Sequence, residues 1–529
     1  MRSLNKYGTM AAAVALLAAS GTVAQAADVD LQSLQQQINQ LQQQLKDLQA
    51  KQAAAPAPAA AAAIPVAAPP PAGTQQPGSF LGAFKIPGTN TMMKIGGFAK
   101  MDVTYDAEGN LGAAGAQSYA INKTALANAT GNGSSATGGN AGFALAGTPA
   151  ARQTGRFQMD ARTSRLIAET RTPTEYGEVK FFIESEFRGS NYDGNSSNSN
   201  SSTLRLRQAY GTLGNLTAGQ TYSLWTDRAT IPNSIDLTGP AGTESGVRQA
   251  VLQYRWDLDK DQKNQIYVGV ENPYNDYVGA DKEAFTTAGG NMPIDNTTKA
   301  PDILAKYAIN GSWGRWSTTL MARYLEVDDV AGLSYPNGIS GTKNVYAHDA
   351  TIGYGFSTGP KIYTGLGNAK NAILFRVSGG EGVGRYMNIQ SASAVVNGQG
   401  KLQTQLVGGY NVNYQHWFTD SIQGNLIYGQ QHTWNKNACA VTGSNSLSAS
   451  QVAAGCSQVA NGLQNTVSEL EANAFWTVNP YVTFGAAYIY AYTNVGSPLY
   501  LGTTTGATRT YSGTTAHDNR IQFSTIIGF

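Results

Sequence analysis

The sequence predicts an all-β fold: a transmembrane antiparallel β-barrel of about sixteen strands, preceded by an N-terminal coiled-coil helix in the periplasm. Three observations carry this expectation. From about residue 93 onward, apolar and polar residues alternate with period two in segment after segment. The connections between segments alternate between short and long. The last segment, Asp518 to Phe529, puts Ile521, Phe523, Ile527 and the terminal Phe529 on one face, with Arg520, Gln522 and Ser524 on the other. A period of two is the side-chain repeat of an extended strand with unlike faces.

Composition agrees. Charged residues make up only 13% of the chain, against roughly 25% in ordinary soluble domains. Glycine (60) and tyrosine (27) are abundant. No segment beyond the leader approaches the roughly 18 apolar residues of a spanning helix. A closed barrel is the other structure that satisfies every backbone group in lipid.

The chain opens as a secretory leader. Arg2 and Lys6 precede an apolar run from Met10 to Ala19, and Ala24-Gln25-Ala26 supplies the small residues of a cleavage site. Residues 1–26 therefore read as a signal peptide. The leader carries two of the 36 Lys and Arg and none of the 34 Asp and Glu, so its removal takes the formal charge from +2 to zero. A neutral total gives no support to nucleic-acid binding.

Residues 28–52 place Leu31, Leu34, Ile38, Leu41, Leu45 and Leu48 at heptad a and d positions, with glutamine in most other places. That narrow stripe is a coiled-coil seam. Residues 53–78 are rich in alanine and proline and end in Pro69-Pro70-Pro71 before a short polar stretch. An extended spacer of that length reaches roughly 75 Å at about 3.1 Å per residue. The barrel is assigned to 79–529.

Period-two faces recur along the barrel. Ile95, Ala99, Met101, Val103 and Tyr105 oppose Lys94, Lys100 and Asp102; Val179, Phe181 and Ile183 oppose Lys180, Glu184 and Glu186. Ile266, Val268 and Val270 oppose Tyr267, Gly269 and Glu271. Short turns such as 213–215 and 478–480 alternate with long segments such as 107–155, 222–246 and 434–465. An even strand count with short periplasmic turns returns Phe529 to the periplasmic side, beside the coiled coil. Trp256, Trp476, Tyr481 and Tyr492, near strand ends, suit the interfacial girdles. The two cysteines, Cys439 and Cys456, fall in one long loop and are expected to form a disulfide there.

At this strand number the barrel encloses an aqueous channel, so function rests on inward-facing residues. Strand parity sends Arg165, Arg171, Lys180, Arg205, Arg207 and Arg255 inward, with Arg188 and Arg248 near the outer mouth. The third long loop, 222–246, carries Asp227, Arg228, Asp236, Glu244, Pro232 and Pro240 and is long enough to fold inward and narrow the pore. Rings of Arg and Lys select anions, and Arg suits bidentate carboxylate recognition. The expected substrate-binding set is Arg165, Lys180, Arg205, Arg207, Arg228 and Arg248, acting on small anionic solutes. The competing reading is that Glu169, Glu184 and Glu186 simply pair with these cations and hold the wall together.

Other readings remain beside it: a tyrosine track for sugars, or an outer-membrane tether using the coiled coil. Four histidines (His348, His416, His432, His517) form no recognisable catalytic motif, so no enzyme activity and no cofactor or metal are expected.

Assembled, the chain resembles the DcaP-like porins. The likeness lies in the Gln/Leu heptads, the Ala/Pro spacer and the first strand Lys94-Ile95-Gly96-Gly97-Phe98-Ala99-Lys100-Met101-Asp102. It lies also in Ala161-Arg162-Thr163-Ser164-Arg165-Leu166, in Leu204-Arg205-Leu206-Arg207-Gln208-Ala209-Tyr210-Gly211, and in Ala218-Gly219-Gln220-Thr221 before the third loop. The resemblance implies a homotrimeric channel in the outer membrane of a Gram-negative bacterium, in contact with lipid and lipopolysaccharide. It implies uptake of small anions such as dicarboxylates, with the contacts falling on Arg165, Arg205, Arg207 and Arg228. The coiled coil would hang in the periplasm, within reach of peptidoglycan, and three such helices could meet on the axis of three barrels.

Overall fold

Alternation in sequence becomes two-sidedness in space in the computed structural model of the protein. On β1 (Met92–Glu108), Met101 and Tyr105 are exposed on the outer face, while the alternating Asp102, Thr104 and Asp106 are buried inside. The last strand repeats the pattern: Ile521, Phe523 and Ile527 face out, and Arg520, Gln522 and Ser524 face in.

The structure describes Gln43 and residues 80–529, apart from 109–110, 115, 118–142, 147–150, 152–153, 190–201, 243–245, 275, 279–297, 329–347, 390–392, 398–400, 435–463, 496–498, 503–507 and 512. The signal peptide (1–26), the coiled coil (28–52, Gln43 excepted), the spacer (53–78) and the Cys439–Cys456 bridge lie outside the described residues.

Sixteen strands form the barrel. After β1, β2 consists of two segments, Thr154–Asp160 and Arg165–Thr174, which pair with successive halves of β1. There follow β3 (Gly177–Glu186), β4 (Arg205–Leu213), β5 (Leu216–Tyr222), β6 (Arg248–Asp257), β7 (Asn264–Glu271) and β8 (Asp302–Gly311). Then come β9 (Gly314–Asp328), β10 (His348–Tyr363), β11 (Ala372–Glu381) and β12 (Leu406–Trp417). The set ends with β13 (Ile422–Trp434), β14 (Gln464–Asn479), β15 (Val482–Val495) and β16 (Thr515–Gly528). Each strand pairs antiparallel with the next, and β16 pairs back onto β1, from Phe98 opposite Gly528 to Asp106 opposite Arg520. Closure leaves no free sheet edge, as lipid requires.

The closing seam is held from inside. Arg520 donates from Nε and Nη2 to the two carboxylate oxygens of Asp106, at 2.6 and 2.9 Å, with both side chains fully buried. Gly97 lets β1 come close to β2: with φ +154°, a Cβ there would collide with the carbonyl of Arg165. Near the short turns, Trp256, Trp476 and Tyr481 are exposed. Tyr492, expected in the same girdle, is only partly exposed.

Candidate functional site

A bulge between β3 and β4 builds the centre of the site. Glu184 lies opposite Gln208 and Ser185 opposite Leu206, which leaves Arg207 as the extra residue. Strict alternation would send one of Arg207 and Gln208 outward. The bulge instead turns both inward, and both are buried.

The strand register then brings the charges together. Arg165, Glu186 and Arg205 face one another across β2, β3 and β4. Arg207 is bonded to Glu184 through Nε and reaches Glu186 through Nη1 at 2.7 Å. Arg205 is bonded to the other oxygen of Glu186. Arg165 lies 3.4 Å from Glu184 and 3.5 Å from Glu186. Gln208 donates to Glu184 at 3.0 Å and accepts from Thr221 at 2.8 Å.

Tyr222, the last residue of β5, touches three arginines. Its hydroxyl accepts from Arg207 and from Arg248, each at 3.3 Å. Arg228 lies over its ring at 4.5 Å, and Arg248 at 5.2 Å. Arg228 is exposed. Among the described residues, neither Arg228 nor Arg248 meets a carboxylate. The connected group thus holds five guanidinium groups against two carboxylates, an excess of three positive charges.

Pairing with Glu184 and Glu186 is therefore present, as the competing reading held, but two acids serve three arginines. Exposure divides their roles: Arg207 is 2% exposed, Arg165 18% and Arg205 41%. Of these three and Arg228, Arg205 and Arg228 are the more exposed. Lys180 stands apart from the group. It lies opposite Arg171, near the short turn, 3.5 Å from Glu169 and over the Phe182 ring at 5.5 Å. It stands six positions from Glu186 along β3, roughly 20 Å of strand. Arg171 pairs with Glu169 at 2.7 Å, Arg255 with Asp257 at 3.0 Å and Arg188 with Asp160 at 3.2 Å.

The remaining wall is different in kind. On β2–β6 several inward side chains, Arg165, Lys180, Tyr210 and Gln253 among them, keep some exposure, while Glu184, Glu186, Arg207 and Gln208 are buried. On β8–β16 inward side chains are buried: Lys306, Thr319, Ser357, Asn411, Asn425, Glu471 and Gln522 among them. Loop 3 (223–247) covers part of this surface. Lys306 of β8 donates to the Thr226 carbonyl at 3.2 Å, and Arg315 of β9 pairs with Asp227 at 2.8 Å. Arg376 of β11 donates to Thr230 at 2.9 Å, and Asn233 donates to Gln423 of β13 at 3.0 Å. The Ile235 amide donates to Glu471 of β14 at 3.2 Å, and its carbonyl accepts from Lys100 of β1 at 3.1 Å. At Gly242 (φ +74°) the loop lies so close to β12 and β13 that a Cβ would strike the Tyr410 and Gln430 carbonyls. Burial alone would raise Asp227, but Lys306, Arg315, the Ser317 hydroxyl and Arg376 outweigh it. They hold the carboxylate below its usual range.

Sequence reasoning did not single out Tyr222, because a tyrosine at a strand end reads as an interfacial aromatic. It also gave no weight to 382–405 as a long loop. That segment has no compositional break from its flanking strands.

A family model described as DcaP outer membrane protein matches residues 18–305, more than half of the chain. The crystal structure of the outer membrane channel DcaP of Acinetobacter baumannii is similar over 85% of this chain and 100% of its own, at 16% identity and a TM-score of 0.59. The anion-selective porin from Comamonas acidovorans is similar over 83% of this chain and 100% of its own, at 12% identity and a TM-score of 0.42. No curated protein matches the sequence.

Proposed function

This chain belongs to the DcaP outer membrane protein family, and we propose that it is a porin for diffusive uptake of small anionic solutes, (di)carboxylates foremost. The observation that carries the reading is the charge excess on β2–β6 and the start of loop 3, where Arg165, Arg205 and Arg228 keep contact with solvent. A carboxylate 4 Å from one guanidinium gains about 1 kcal/mol in bulk water and about 4 kcal/mol at an effective dielectric constant of 20. Arg205 and Arg228 supply forks for carboxylate oxygens. Arg207, Arg165 and Arg248 hold the field behind them. Loop 3, bonded across the barrel to β13 and β14, narrows the channel beside this wall.

The same reading takes the barrel as a homotrimer in outer-membrane lipid and lipopolysaccharide. The coiled coil at 28–52 and the spacer at 53–78 extend into the periplasm toward peptidoglycan. A sugar channel is the second reading. It leans on the inward pair Phe182 and Tyr210, whose rings lie 5.4 Å apart below the cation group.

Reversal potentials of the reconstituted protein across a salt gradient test the proposal. Anion preference, together with current block by a dicarboxylate but not by a neutral sugar, is the expected result. Cation preference would overturn it, and equal block by both solutes would put the sugar reading first.

A further inference from the structure

Arg323 of β9 uses every hydrogen it has. Its side chain is fully buried, yet all five N–H groups find acceptors. Nε donates to Asp302 at 3.1 Å, at the start of β8. Nη1 donates to the Gly382 carbonyl at 2.8 Å and to Ser393 at 2.9 Å, both in loop 6 (382–405). Nη2 donates to the Tyr274 carbonyl at 2.8 Å and to Asp276 at 2.9 Å, both in loop 4 (272–301). One wall arginine thus gathers two loops. Their backbones also pair, with Tyr277 and Val278 parallel to Ala394 and Val395.

Tyr386 extends the hub to loop 3. Its hydroxyl donates to Asp302 at 2.6 Å and accepts from Gln249 of β6 at 2.9 Å. Burial, with Asp302 and Glu271 nearby, pushes this phenol well above its ordinary value, so it stays a donor. Its ring packs on Trp225 of loop 3 at 6.0 Å, and Arg323 lies over it at 5.1 Å. Leu224 and Trp225 of loop 3, Val383 and Met387 of loop 6, and Leu304 and Met321 of the wall close an apolar core around it.

We infer that the described residues of loops 3, 4 and 6 form one plug, clamped by Arg323 and Tyr386, which seals the β7–β12 side of the lumen and confines solutes to the cation wall of β2–β6. This deepens the porin reading and rests on it. Arg323 and Tyr386 are positioning residues. They touch no solute, and they set bore and selectivity by holding the plug. The apolar core explains why the plug stays seated: releasing it would expose Trp225, Tyr386 and Met387 to the aqueous lumen.

The test compares the full-length wild type with Tyr386→Ala and Arg323→Met in planar bilayers, after heat-modifiable gel migration shows each barrel to be folded. Trypsin cleavage at Arg385 and Lys401 is followed in parallel. The expected result for either variant is about a twofold rise in single-channel conductance, an anion-to-cation permeability ratio moving toward one, and faster cleavage. Tyr386→Ala leaves the charge partners of Arg323 in place, so it serves if Arg323→Met does not fold. Wild-type conductance and permeability ratio in folded Tyr386→Ala would overturn the inference. Cleavage at the wild-type rate would also overturn it, even if the wild type carried no current and the porin reading fell.

Discussion

Arg205 and Arg207 hold the same carboxylate, Glu186, from different depths: Arg207 is 2% exposed and Arg205 41%. Each takes one of the two oxygens. The deeper arginine neutralises buried acids, and the shallower one keeps its field available to whatever passes.

Arg205→Ala and Arg207→Ala should therefore fail differently. Removing Arg207 strips Glu184 of its nearest cation and Glu186 of its buried one, and should cost about 3–5 kcal/mol, the range for breaking a buried pair. Removing Arg205 should cost no more than about 1 kcal/mol, because water screens it. Urea unfolding of the two variants checks the stability difference. Reversal potentials check that Arg205→Ala lowers anion preference in a barrel as stable as the wild type. Equal destabilisation by both would contradict the division of roles.

Arg228 meets no carboxylate among the described residues and packs on Tyr222. Arg228→Glu changes the local charge by two units without unpairing a buried group. Anion preference should fall sharply, and the denaturation midpoint should stay at the wild-type value. Bilayer selectivity and heat-modifiability on one preparation measure both. A variant as anion-selective as the wild type would remove Arg228 from the site.

Asp227 anchors loop 3 to Arg315 at 2.8 Å. Its pKa in the folded protein lies below the usual value of about 3.9 expected for the unfolded chain. A depressed carboxylate stabilises fully above the unfolded value and loses that contribution as pH falls through the folded one. The anchor should therefore hold from pH 8 down to about pH 4, and conductance in that window should not report its loss. Asp227→Asn should raise conductance or current noise throughout the same window. Single-channel recording at several pH values decides, and a wild-type change centred near pH 5 would argue against Asp227 as the anchor.

Across the closing seam, Arg520→Leu leaves Asp106 buried without its partner and should destabilise the barrel by about 3–5 kcal/mol. Replacing Asp106 by Leu as well should recover a large part of that loss, because the desolvated carboxylate is gone. A double-mutant cycle by urea unfolding measures the coupling. Additive losses would mean that the two side chains act independently.

The barrel was readable because period two is a local property. Met101 and Asp102, or Ile521 and Gln522, take opposite faces whatever their partners, and lipid outside makes that difference large. The residue motifs of β1, β2 and β4 were enough to point to the DcaP family. Inward placement of Arg165, Arg205 and Arg207 follows from the same parity. Their company does not. Tyr222 and Arg248 join them through register and a loop return. Lys180, of the right charge and parity, is left behind because its height on β3 is set by the turn below it.

By itself, the sequence determined the strand count, the inside and outside of the barrel, and a wall of cations, since each is written in short-range alternation. Tertiary structure decided which cations share acids and which meet solvent, where loop 3 lies, and how Arg323 and Tyr386 join three loops. Those outcomes depend on contacts between residues far apart in the chain, such as Arg520 with Asp106 and Trp225 with Tyr386. Their energies exist only once the barrel has closed and brought the partners together.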